Sequence, residues 1–217
     1  TQQAASGTSN TFNHVIGTGS NVYVGVCAFT RSSPAADVTS VTIDGSAGAH
    51  IVTAIDTVDS ANVRVEMWGR ALGSKTGSIA IDTVWDQTDA PRIVAFSMFG
   101  VDQTTPVGTP QSTAPGTYPT SLSVNVSSAT DELVLSCLAL ASSGSSITVG
   151  AGQTEQWLNT TNSNSTQDQG STEPGGATVT MSHSWTTPDY AALVAAPFKA
   201  ASATATTQNL MLLGVGN

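Results

Sequence analysis

The chain has 217 residues, enough to bury a full hydrophobic core, and its 6 Lys and Arg against 15 Asp and Glu leave a net charge of −9. Such a chain has no basic face with which to hold a phosphate backbone, so nucleic acid is not expected as a partner. Charged residues make up only 10% of it, so its surface must be built largely from uncharged polar and small residues, and no apolar run approaches the ~20 residues of a membrane-spanning helix.

Residues 1–10, TQQAASGTSN, are small and polar and lack a core pattern, which fits either a frayed end or a strand held by something else. Residues 11–16 alternate weakly, and the turn GTGSN at 17–21 leads into NVYVGVCAFT at 21–30. That β-branched apolar run is the cleanest strand signal in the chain, of the kind covered on both faces. A short strand is predicted at 38–43, ending at the turn dipeptide Asp44-Gly45, and another at 50–55. Residues 62–72 alternate best, with Val63, Val65, Met67 and Gly69 on one face and Arg64, Glu66, Trp68 and Arg70 on the other. Strands at 78–84 and 92–99, separated by a polar loop at 85–91, complete a first half.

Residues 101–120 carry four of the nine prolines and read as a connector. Beyond it, DELVLSCLAL at 131–140 echoes 21–30 at an offset of 110, which sets Cys27 on Cys137 and Val24 on Val134. Strands are predicted at 121–126, 132–140, 147–149, 154–159, 177–182 and 190–198, the last two at an offset of 100 that sets Trp85 on Trp185 and Ala95 on Ala195. The polar run at 160–175 falls where the offset slips and is expected to be a surface loop. Helical periodicity is nearly absent, and short strands with turns every eight to twelve residues predict an all-β sandwich or barrel. Two matched halves, 11–100 and 121–199, predict a single jelly-roll-like β-sandwich over 17–199, flanked by a strand segment at 1–16 and a tail at 200–217.

The tail ends in NLMLLGVGN, whose Leu210, Met211, Leu212, Leu213 and Val215 are too apolar to remain in water. They suit a last edge strand on the chain's own sheet, or a strand added to a neighbour's sheet. Head-to-tail addition does not close on itself and grows filaments.

Little points to catalysis. His14, His50 and His183 are far apart in sequence, no metal-ligand spacing is present, and no nucleophile elbow, P-loop or dinucleotide fingerprint occurs. Asp82, Asp86 and Asp89 lack the dense ligand pattern of a calcium loop and read as a solvated turn. Trp68, Trp85, Trp157 and Trp185 suit either packing beneath loops or a sugar-stacking platform. Cys27 and Cys137 are two buried free thiols or one bridge. Asn125, Asn159 and Asn164 begin sequons and are possible glycosylation sites. A chain that starts at Thr1 without Met fits a processed, secreted protein.

GTGSNVYVGV at 17–26, VEMWGRAL at 65–72, FGVDQTTPVG at 99–108, GAGQTEQW at 150–157 and STEPGGATVTMSHSW at 171–185 carry a resemblance that covers nearly the whole chain. Through them it resembles a family of β-sandwich domains of unassigned function from bacterial, phage-associated and environmental proteins. It is also similar to protomers of extracellular helical fibrils assembled by donor-strand complementation. The resemblance implies an N-terminal donor strand at 1–16, with Thr11, Phe12, His14, Val15 and Ile16 at the subunit interface. The apolar tail after Lys199 is a second candidate donor. The expected function is thus the structural protomer of an extracellular, pilus-like homopolymer, with no enzymatic activity and no cofactor. A phage virion decoration or tail protein, or a secreted carbohydrate-binding adhesion module recognising surface glycans, is the alternative.

Overall fold

The computed structural model describes residues 1–4, 7–57, 62–89, 91–141, 144–160 and 166–202. Seventeen strands and no helix form among them: β1 (Gln2–Ala4), β2 (Gly7–Ile16), β3 (Val22–Ser32), β4 (Val38–Ile43), β5 (Ser46–Ala47), β6 (Ala49–Asp56), β7 (Asn62–Gly73), β8 (Gly77–Asp89), β9 (Arg92–Met98), β10 (Gln111–Thr113), β11 (Ser121–Val126), β12 (Leu133–Leu140), β13 (Ile147–Val149), β14 (Thr154–Asn159), β15 (Gln167–Pro174), β16 (Val179–Trp185) and β17 (Ala191–Phe198). With no helix among the described residues, none is available to cross a membrane.

Every strand pairing is antiparallel, and four sheets result, ordered β2-β8-β4-β5, β1-β9-β3-β7-β6, β10-β17-β12-β15-β14 and β11-β16-β13. They stack in that order as four layers, where one sandwich would have two. The reason lies in β3 and its echo β12. Along β3, Val22, Val24, Val26 and Ala28 face one core while Tyr23, Cys27 and Phe29 face another. Along β12, Val134, Leu138 and Leu140 face an outer core while Leu135, Cys137 and Ala139 join the same central one. Strands apolar on both faces need a sheet on each side.

The central core lies between the two five-stranded sheets, where Phe198 meets Tyr23 and Phe96 edge-on at ring-centroid distances of 5.3 and 6.1 Å. There Cys27 and Cys137 form a disulfide across the two middle layers, with Cα atoms 6.7 Å apart. The two five-stranded sheets have one strand order once β10 is set on β1, β17 on β9, β12 on β3, β15 on β7 and β14 on β6.

Two expectations need correction. Residues 167–174, read as surface loop, form β15, which lies between β12 and β14 with Gln167, Asp168, Gln169 and Ser171 buried. Polar side chains are tolerated there because each finds a partner inside the sheet stack. The predicted loop at 85–91 is strand as far as Asp89, since β8 continues beside both β2 and β4.

Candidate subunit interface

The N-terminal candidates come together on β2. This strand lies at the edge of an outer layer and, among the described residues, pairs with β8 alone, from Gly7 opposite Asp89 to Ile16 opposite Gly77. Alternation sends Phe12, His14 and Ile16 inward, all buried, and leaves Val15 outward and 68% exposed. Phe12 and Ile16 complete the first outer core beside Ile79, Ile81 and Trp85. The outward Thr11 donates its hydroxyl to Asp82 Oδ1 at 2.6 Å. Burial depresses the His14 imidazole to a pKa of about 4, so at neutral pH it is an uncharged core residue whose Nδ1 lies 3.0 Å from Thr1 Oγ1. The C-terminal candidates Leu210, Met211, Leu212, Leu213 and Val215 lie outside the described residues.

A second feature appears on β9. Among the described residues its outer edge is paired by β1 only at Arg92–Val94, and by Thr1, which exchanges main-chain bonds of 2.9 and 2.8 Å with Ala95. Beyond Ala95, a groove of about 310 Å³ runs along Phe96, Ser97 and Met98, floored by Leu133, Leu135 and Trp157. The matching edge of β17 is filled: Val107 bridges Phe198, Gly108 N–H donates to Pro197 O at 2.9 Å, and Lys199 N–H donates to Pro106 O at 2.9 Å.

Among the described residues Asp56, Glu66 and Asp168 are buried carboxylates, and the surroundings of the last two are the most developed. Glu66, on the face of β7 that the sequence marks as polar, is covered by β4. It accepts from Val38 N–H at 3.0 Å and Trp68 Nε1–H at 3.2 Å and pairs with Arg64 at 2.8 Å; Arg64 also pairs with Asp37. Burial nevertheless pushes its carboxyl up to about 7. Asp168 on β15 accepts from Trp157 Nε1–H at 3.1 Å and pairs with Arg92 of β9 at 3.2 Å, tying the two middle layers together. Burial raises it too to about 7, opposed by Arg92.

One constellation escaped sequence reasoning because its members lie on three strands. Gln169 Oε1 accepts from His183 Nδ1 at 2.7 Å, and His183 Nε2 lies 2.9 Å from Ser136 Oγ. The order resembles a serine–histidine relay, yet all three are at most 1% exposed, and burial holds the His183 pKa near 4. Buried and bonded to one another, the three form a polar tie beside the second outer core.

The other candidates are dispersed. His50 stacks edge-on against Trp68 at 4.9 Å. Trp85, Trp157 and Trp185 are buried in the cores. Asp86 accepts from Asp37 N–H at 2.8 Å, the side chain of Asp89 lies outside the described residues, and among the described residues no group of three or more His, Cys, Asp or Glu gathers to hold a metal. Asn125 is exposed on β11, where it accepts from Thr180 Oγ1 at 2.8 Å. Asn159 is buried at 8% exposure, and Asn164 lies outside the described residues. Compared with protein-family models, with curated proteins and with solved structures, the chain matches none.

Proposed function

We propose that the chain is the structural protomer of an extracellular homopolymer whose copies join non-covalently by exchanging the N-terminal strand segment, residues 1–16. The observation that carries this is β2: an edge strand, held among the described residues by one neighbour, whose inward Phe12 and Ile16 complete the first outer core with His14 buried between them. A strand bound in this way makes the same contacts whether it comes from its own chain or from another. Exchange then costs little beyond opening the turn at 17–21, and repeated in one direction it yields an open filament. The disulfide suits an oxidising compartment, and a surface poor in charge suits a durable assembly without a polyelectrolyte partner.

The matching strand orders of the middle layers support a duplicated architecture, each half a jelly roll. In the first half β1-β9-β3-β7 and β2-β8-β4-β5 follow the nested pairing of that fold, with β6 added at one edge.

Negative-stain electron microscopy and light scattering of the purified chain over a wide concentration range test the polymer. Filaments are expected from the full chain and not from a chain lacking residues 1–16, which should instead bind a synthetic peptide of that sequence. A full chain that stays monodisperse at every concentration, or a truncated chain that still polymerises, overturns the proposal.

A further inference from the structure

Among the described residues the edge of β9 beyond Ala95 has no strand beside it, whereas its counterpart on β17 is filled, and the counterpart says what belongs in it. Tyr23 faces Met98 where Leu133 faces Phe198, and Cys27 faces Val94 where Cys137 faces Val194, so residues of β9 and β17 correspond at a constant spacing of 100. After Met98 the chain crosses over and lays Pro106, Val107 and Gly108 along the end of β17. After Phe198 it makes the reciprocal move: Lys199 O accepts from Asp102 N–H at 2.9 Å, Ala200 bridges Val101, and Ala201 N–H donates to Gly100 O at 2.7 Å. The described chain stops shortly after, at Ser202; Ala200 and Lys199 line a small cleft with Met98 and Leu133, two residues that also line the groove.

We infer that the groove beside β9 is the docking site of the chain's own C-terminal segment. Thr206, Thr207 and Gln208 lie along Ser97, Met98 and Phe99, as Pro106, Val107 and Gly108 lie along Pro197, Phe198 and Lys199. Three observations favour this occupant. The described chain ends at Ser202, just after Lys199 and Ala200, which line a cleft with Met98, and the edge of β9 already takes β1 as an antiparallel partner. The edge offers the hydrogen bonds, since Ala95 turns both its N–H and its C=O to Thr1 and alternation turns both groups of Ser97 the same way. The site also accepts this sequence: a side chain on Gly108 would strike the Pro197 ring, whereas Ser97 has no ring and leaves room for Gln208.

The same register carries Met211, Leu212 and Leu213 onto Ala95, Val94 and Ile93, as Gln111, Ser112 and Thr113 pair with Ala195, Val194 and Leu193. Thr1, Gln2 and Gln3 of the N-terminal segment hold those places on β9. The apolar tail and β1 exclude each other there, and a docked tail frees residues 1–4 to pair with a second copy. That consequence rests on the polymer reading; the assignment of the groove does not.

The test is the pair Met98→Cys with Thr207→Cys. Val107 and Phe198 face each other between flanking main-chain bonds, the closely spaced arrangement, so the corresponding pair falls within disulfide range. Oxidation should give a bridge within one chain, located by peptide mapping and independent of protein concentration. Free thiols in the folded variant, or a bridge found only between copies, overturn the inference, and the latter makes the tail the donor. If the variant does not fold, hydrogen exchange on the unmodified chain decides. The Ser97 amide should exchange at least tenfold more slowly than in a chain ending at Ser202, and equal rates overturn the assignment. An intramolecular bridge without filaments would leave the groove assigned and remove the polymer.

Discussion

Replacing both cysteines by alanine, Cys27→Ala with Cys137→Ala, removes the disulfide between the two middle layers. The bridge spans 110 residues, and in the chain-entropy model a closed loop of that size destabilises the unfolded state by about 4–5 kcal/mol. Both side chains are fully buried, so losing each sulfur costs about 1 kcal/mol more in lost burial. The expected loss is about 6 kcal/mol, a large share of the ~5–15 kcal/mol by which domains are usually stable. Urea unfolding without reductant, followed by the fluorescence of the buried Trp85, Trp157 and Trp185, measures it. Most of the effect acts on the unfolded chain, so the urea dependence should steepen as the midpoint falls, because an unbridged chain exposes more surface. A double variant within about 1 kcal/mol of the parent would refute the reasoning, for the middle layers would then be held without the bridge.

Gly170→Ala should cost about 1–3 kcal/mol, because a methyl group there meets the Trp157 ring that lies over Gly170; a red-shifted emission would report the displaced indole, and unchanged stability would mean the ring is not so placed. Stability against pH separates the buried groups. Glu66 and Asp168 have folded values raised to about 7, so their contribution is full below the ordinary carboxylate range and is lost as pH rises toward 7. His14 and His183 have folded values lowered to about 4, so theirs is lost as pH falls from 6.5 toward 4. The two slopes oppose each other, and denaturation midpoints should change little between about pH 4.5 and 6.5. Asp168→Asn leaves one histidine uncompensated, and stability should then rise by about 1.4 kcal/mol per pH unit across that window; a variant whose profile has the same slope as the parent's would show that Asp168 is ionised in the fold.

How much of this could be read from the sequence depended on whether a residue's environment is set locally. The apolar runs containing Val24 and Val134 marked strands covered on both faces, and the alternation at Val63, Val65 and Met67 marked a single inward face; all five residues are buried. The segment Gln167–Pro174 was illegible for the opposite reason. Its side chains are those of a loop, and only the arrival of Arg92 and His183 from other sheets, Trp157 from the neighbouring β14 and Ser145 from the segment before β13 makes their burial tolerable. Long-range hydrogen bonding of this kind leaves no periodic trace. Glu66 was misleading in the same way: it stands on the polar face of its strand, yet the backbone of Val38 and the indole of Trp68 close over it.

Stacking sheets on one another covers their faces but never their edges, and edges are where strand proteins meet unwanted or intended partners. Among the described residues most edge strands here are blunted. β1, β10 and β13 have three residues each and β5 has two, while β6 and β14 carry Asp56 and Glu155. β11 is uncharged but has only six residues. β2 is different: ten residues with no Lys, Arg, Asp, Glu or Pro among them, and Val15 turned to solvent. Among the described residues the chain protects its other edges by shortness or charge and leaves its longest one uncovered, and under the proposed strand exchange that edge is the one kept for pairing. The segment that forms the edge also completes a core, so a strand added there and a strand lent from there serve the same junction.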